Sequence, residues 1–313
     1  MFTLTDVLGR SGHDEEVKIA RRNIRDYRPV LDLEKTQLEG GYWPPKESCY
    51  DPKFSATVWQ LMILAEMGVQ RAPWIDSAVA RVFQQHLMDD GSLDHEVCFS
   101  GHMARTLTVL GYGDDARVRR LLEWLPEQQL EDGGWNCDYP RYNPKHSSFM
   151  STICPLWACS ELPPTTLTRK LRRSLERGAE FLLAHRVYKS DRDWRPVELH
   201  RKRPGPDDPL FTPGLITRFH FPMYYYYDAL HGLRVLTQIG YEDDERISDA
   251  IHLVLSKKTP EGKWPLEGDW VREGADEKRK TLVTIEQLQK PSKWITLNCY
   301  RVLVKTGGLE LPA

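Results

Sequence analysis

The chain has 313 residues, enough for one large domain or two ordinary ones around a sizeable core. Its 43 Lys and Arg against 45 Asp and Glu leave a formal charge of −2, so the overall balance gives no argument for nucleic-acid binding, and none is expected. No apolar run reaches the roughly 18 residues of a membrane span, the N-terminus MFTLTDVLGRSGHD lacks the apolar core of a signal peptide, and the cysteines are dispersed, so reduced thiols and a cytoplasmic location are expected.

Helical periodicity runs through the chain, and no alternating run of strand length competes with it. A first helix, from about Glu15, ends at Gln37-Leu38-Glu39-Gly40-Gly41-Tyr42-Trp43, and a second spans Phe54 to Met67. A weaker copy of the same stop lies at Gln85 to Leu93, with Gly91 in the turn, and is followed by a helix from Cys98 to Leu110. Next, Val118, Leu121, Leu122 and Leu125 make one apolar face, and Asp132-Gly133-Gly134 stops that helix before Trp135. Phe149 to Leu162 is helical in pattern, Phe181 to Trp194 is a partial copy without the glycine, and Met223 to Ile239 follows. Lys258 to Trp264 keeps Gly-x-Trp, and Trp294 to Val304 closes the series. The recurrence, roughly every 40 to 70 residues, is the range in which repeat architectures declare themselves.

The connections are unequal. Turns leading back to the next first helix are short (Gly68 to Ala72, Gly111 to Asp114, Leu162 to Thr165, Gly240 to Asp243). Those from first to second helix are long: Gly41 to Lys53, Asp89 to Val97, Asp132 to Ser147, Tyr188 to Phe221 and Pro260 to Lys293. Strict alternation puts every long loop at one end of a helical array, where sites are usually built. Residues 188–221, with His200-Arg201-Lys202-Arg203 and Pro-Gly-Pro, read as an insertion.

With Gln37 to Trp43 and Gln129 to Trp135 as close copies of Gln-x-x-x-Gly-x-Trp, the chain resembles the terpene cyclase and protein prenyltransferase superfamily, in particular its squalene–hopene cyclase branch. The resemblance spans about Glu15 to Gly308. It implies an all-α fold: one α/α toroid of about five to six helical hairpins over residues 1–313, with the second helices around a central cavity. The repeated Gln and Trp are expected to be structural, since indole N–H and Gln amide groups can meet orphan groups at helix ends.

The site is expected at the long-loop mouth, where inner-helix N-termini would favour an anion. Cys49, Asp94, His95, His146 and His220 belong to that rim, as do Cys137 and Asp138. Cys98, His102 and Arg105 fall at i, i+4 and i+7 on one helix face and are expected to look into the lumen. Tyr224, Asp228 and His231 make a second stripe, Tyr225 belongs to the same aromatic run, and Asn298 and Arg301 offer a third. Tyr rings either fill a helical core or wall a cavity where they stabilise a carbocation.

Three functions follow. The first is an enzyme acting on an apolar, isoprenoid-type small molecule in the lumen. The squalene-cyclase acid motif Asp-x-Asp-Asp is absent, so His102 or Asp138, with Asp228 as a further lone acid, is the candidate proton-transfer group. Arg105 is then the anion partner, and Tyr224, Tyr225, His231 and Arg301 line the substrate. The prenyltransferase zinc triad does not carry over whole either: Thr152-Ile153-Cys154 keeps its Cys alone, and Tyr225 falls where His is expected. The second is a zinc- or thiolate-dependent enzyme using Cys98, His102 and Cys137, against which stands the inertness of ordinary buried cysteines. The third is a non-catalytic toroid that binds a ligand or partner.

Overall fold

A computed structural model of the chain describes residues 1–197, 215–224, 226–269 and 281–308. Tyr225 and residues 198–214 of the expected insertion lie outside the described residues.

The fold is all-α. After a short π-helical segment, Thr3–Val7, the helices are α1 (Glu15–Arg22), α2 (Arg28–Thr36), α3 (Thr57–Glu66), α4 (Pro73–His86), α5 (Val97–Leu107), α6 (Ala116–Trp124), α7 (Phe149–Ser160), α8 (Arg169–Ala184), α9 (Ala229–Gln238), α10 (Ser248–Ser256) and α11 (Lys293–Lys305). The described strands are two-residue pieces, β1 (Trp264–Pro265) and β2 (Pro291–Ser292), paired antiparallel.

Burial separates the helices into two sets. Every residue of α3 and of α5 is buried, as expected of helices surrounded on all sides. By contrast α6 buries Val118, Leu121, Leu122 and Trp124 and leaves its charged face to water. Helices α3, α5, α7, α9 and α11 pack in that order as an inner set, with α2, α4, α6, α8 and α10 behind them. The N-terminal segment packs on α11 and places Phe2 against Gly68 beyond the end of α3, bridging the last inner helix to the first.

The repeated Trp explains how the hairpins are tied. Trp43, Trp135 and Trp264 are fully buried. Each indole N–H donates to a carbonyl ten residues earlier: Leu33 at 3.0 Å, Leu125 at 2.8 Å and Val254 at 2.7 Å. Each backbone N–H donates to a threonine hydroxyl on the following inner helix, Thr57, Thr152 or Thr296. The degenerate copy keeps the rule, with the Leu93 N–H donating to Ser100 Oγ at 2.9 Å. Gln37 donates to the Trp74 carbonyl at 3.0 Å and Gln129 to the Ser174 carbonyl at 2.8 Å, each reaching the next outer helix. Gly133 has a φ of 95°, and a Cβ there would lie 2.6 Å from the Arg177 carbonyl oxygen of α8. Glycine is required on both counts.

One helix is shorter than its sequence pattern. The apolar run from Met223 reads as helix, yet α9 begins at Ala229. Tyr224 has a φ of 49°, and Asp228 is extended, its carboxylate accepting the His231 N–H as the helix N-cap. Tyr224, Asp228 and His231 therefore do not form one helical stripe.

Candidate functional site

The stripe on α5 runs along the toroid axis and meets three different environments. At the long-loop end, Cys98 is bonded to Cys137 in a disulfide, where free thiols were expected. Ser151 supports the link, accepting the Cys137 N–H at 3.0 Å. Glu96 lies beside the pair, and its carboxyl is pushed above the usual range by burial. Among the described residues these three are the ones grouped closely enough to ligate a metal; His102 does not join them. With both sulfurs spent on each other, no thiolate remains for zinc or for nucleophilic attack. The expected Cys98, His102 and Cys137 set is thus not assembled in this state. Asp138 is exposed on the same loop, its N–H donating to Asn136 Oδ1 at 3.0 Å.

Behind the disulfide the axis is filled by rings. Phe54 lies 4.8 Å from Tyr224 and 4.9 Å from Trp59, and Tyr50 lies 5.3 Å from Phe99. Tyr224 is buried, its hydroxyl has no hydrogen-bond partner, and burial raises its pKa. Asp228 is consumed structurally: besides capping α9 it accepts from the His220 N–H at 2.9 Å and pairs with the His220 ring at 3.1 Å.

One turn further along α5, His102 is fully buried, and neither ring nitrogen has a partner. It meets Trp157 edge-on at 5.2 Å, and His231 does so at 4.3 Å. His231 Nδ1 lies 3.2 Å from the Tyr226 carbonyl, while its Nε2 is unpartnered. Burial holds both imidazoles well below the usual histidine range; Arg105 and then His231 act further on His102, Arg234 and then Arg105 on His231. Both are neutral bases at neutral pH.

Arg105 opens on a cavity of about 460 Å³. Its wall takes Ala65 and Glu66 from α3, Arg105 and Val109 from α5 and just beyond, Glu161 after α7, Arg234 from α9, and Arg301 and Lys305 from α11. These positions are at or near the C-terminal ends of the inner helices, so the central cavity lies at the short-turn end. The sequence places the site at the opposite, long-loop mouth; there the axis is closed by the aromatic rings. C-terminal helix ends carry partial negative charge, which suits the basic residues gathered here. Phe2, Thr5 and Asp6 of the N-terminal segment complete the wall, with Asp6 accepting from Arg301 Nε at 2.8 Å.

Of the residues named from sequence, Arg105 and Arg301 line this cavity, His102 and His231 lie behind it around Trp157, and Cys98, Cys137, Asp138, Tyr224 and Asp228 are elsewhere. Glu66, Trp157, Glu161 and Arg234 were not singled out. The signal that points to Glu66, Glu161 and Arg234 is a charged residue in or just after the last turns of successive inner helices; Trp157 carries no such signal.

The fold and site thus define an all-α protein with a charged cavity among its inner helices. No protein-family model and no curated protein sequence matches the chain. Among solved structures it is similar to a protein from Actinoplanes, at 16% identity over 98% of this chain and 88% of that chain, with a TM-score of 0.48. It is also similar to the type II terpene cyclase MstE from Scytonema. An arginine-to-alanine variant of MstE in complex with geranylgeranyl dihydroxybenzoate, described as its substrate, gives 13% identity, 98% and 86% coverage and a TM-score of 0.47. Apo MstE gives 14% identity, 92% and 99% coverage and a TM-score of 0.34. No described helix is long and apolar enough to cross a membrane.

Proposed function

We propose that the chain is a terpene-cyclase-like enzyme that takes an isoprenoid-type small molecule, apolar in body and polar at one end, into the axial cavity from the short-turn face. The observation that carries this reading is the cavity itself, walled by residues from or just after each of the five inner helices and bearing buried polar atoms without partners, Arg105 Nη1 and Glu66 Oε1. Buried polar groups are normally satisfied, so unpartnered ones around a cavity call for a ligand or ordered water. Phe2, Ala65 and Val109 give the apolar body its contacts. Phe2 also lines a second space of about 290 Å³ with Trp294 and Leu297, into which a longer chain would extend.

The chemistry open to such a site is proton transfer. His102 is the candidate kept from the α5 stripe, a neutral buried imidazole edge-on to Trp157 and three residues before Arg105 on the same helix. The test is native mass spectrometry on freshly purified protein, followed by turnover assays with isoprenoid substrates in wild type and His102→Ala. The reading expects a bound apolar molecule, and loss of turnover in a folded variant. A protein that carries no small molecule and turns over no isoprenoid would overturn it.

A further inference from the structure

Arg234 is a charge that the fold buries among the inner helices. It sits in the second turn of α9, 8% exposed, and forms no ion pair with a described residue. Its guanidinium carbon lies 5.2 Å from the Trp157 ring centroid, and that of Arg105 lies 4.0 Å from the same centroid. Both arginines line the cavity and sit around the one buried ring behind it. Arg105 is 3% exposed; its Nε is taken by Glu161 at 3.3 Å, and its Nη1 has no partner. A buried cation left without a counter-charge costs several kcal/mol, so the free positions face a strong demand for acceptors.

The wall charges show which sign is missing. Arg105, Arg234, Arg301 and Lys305 stand against Asp6, Glu66 and Glu161. Asp6 is held by Arg301, and Glu161 by Arg105 and the Trp157 indole. Glu66 Oε1 is buried without a partner, and the ionised side chains of the wall number four positive to three negative. Burial, with Arg301 next, pulls the Arg234 pKa down to about 10, while Glu66 and then Glu161 work the other way; Arg234 is still charged at neutral pH.

We propose that Arg105 and Arg234, backed by Arg301 and Lys305, bind a singly charged oxyanion that carries its own hydroxyl, of which a protonated phosphate group is the type. This names the polar end of the substrate and rests on the reading above. Arg105 Nη1 and the Arg234 guanidinium donate to the anionic oxygens, with the planar geometry that favours guanidinium for this role. Glu66 Oε1 accepts from the hydroxyl, which makes its place among cations useful for selection: an oxyanion without a proton meets carboxylate repulsion there. Asp6 competes for the same cations from the N-terminal segment.

Calorimetric titration with inorganic phosphate and with sulfate, at pH 6 and constant ionic strength, tests this. Phosphate is expected to saturate one site and to bind more tightly than sulfate. Arg234→Met should weaken phosphate at least tenfold, Asp6→Asn should strengthen it about threefold, and Glu66→Gln should erase the preference over sulfate. Should Arg234→Met fail to fold, the partly exposed Asp6 position still decides. Absence of saturable phosphate binding, or an affinity that neither Asp6→Asn nor a folded Arg234→Met changes, overturns the site. The failures are separable: a retained apolar molecule without phosphate binding sinks this inference alone, whereas phosphate binding without any isoprenoid chemistry sinks the functional reading.

Discussion

Arg105 and Trp157 are joined through one oxygen: Glu161 Oε1 accepts from Arg105 Nε at 3.3 Å and from Trp157 Nε1 at 3.1 Å, while the guanidinium lies over the ring. This three-residue junction fixes the floor of the cavity, because it ties the end of α5 to the end of α7. Glu161→Gln keeps the shape and removes the charge, leaving Arg105 buried without its ion pair. A stability loss of about 3 kcal/mol is expected in urea denaturation, as for other broken buried pairs. Phosphate affinity should rise in the same variant. Unchanged stability would mean that the junction is not formed.

The two histidines around Trp157 make stability depend on pH. Their native pKa values are lowered from 6.5, chiefly by burial, so below about pH 6.5 the unfolded chain binds protons that the native protein does not. Stability is therefore full above that pH and falls as the pH drops through it, by about 1.4 kcal/mol per unit for each histidine. His102→Phe, which also removes two unpartnered nitrogens, should roughly halve this slope in denaturation curves between pH 7 and 5. An unaltered slope would show that His102 is protonated or solvated in the native protein.

Cys98 and Cys137 close a loop with a sequence separation of 39, while Cys49, Cys154, Cys159 and Cys299 are free and buried. Alkylation after unfolding without reductant should label four cysteines, and six after reduction. Reduction is expected to cost about 3 to 4 kcal/mol if loop entropy is the main effect. Six labels before reduction would restore the free-thiol expectation and reopen zinc binding at Glu96, Cys98 and Cys137.

Thr152 receives the Trp135 N–H at 3.0 Å inside the core. Thr152→Val should cost about 1 to 3 kcal/mol by leaving that donor unsatisfied, and Thr152→Ser should recover most of it, since Ser100 performs the same task for Leu93. Equal melting temperatures for the valine and serine variants would show that this bond contributes nothing.

The last case also shows what the sequence could disclose. Gln129, Gly133 and Trp135 sit at fixed spacing around one turn, and the same turn recurs with each hairpin, so the motif is legible as a repeat although Gln129 and Gly133 meet α8 some 45 residues on. The cavity has no such signature. Glu66, Arg105, Glu161, Arg234 and Arg301 arrive singly from different helices, and each looks like an ordinary charge at a helix end. The Tyr224, Asp228 and His231 spacing misled for a related reason: the apolar content of the run is helical, but Asp228 uses its carboxylate to start the helix instead of lying within it. Nor does spacing reveal that Cys98 meets Cys137, because cysteine pairing across a long loop depends on the tertiary fold.

The most direct test of the central claim is to fill the axial cavity from a position at the margin of the core. Val109 is part of its wall and only partly buried, and Ala184 lines the separate outer groove beside His146 and His185. Ligand capture by native mass spectrometry should be lost in Val109→Trp and kept in Ala184→Trp, with both variants folded. Capture that survives at Val109 and disappears at Ala184 would contradict the account.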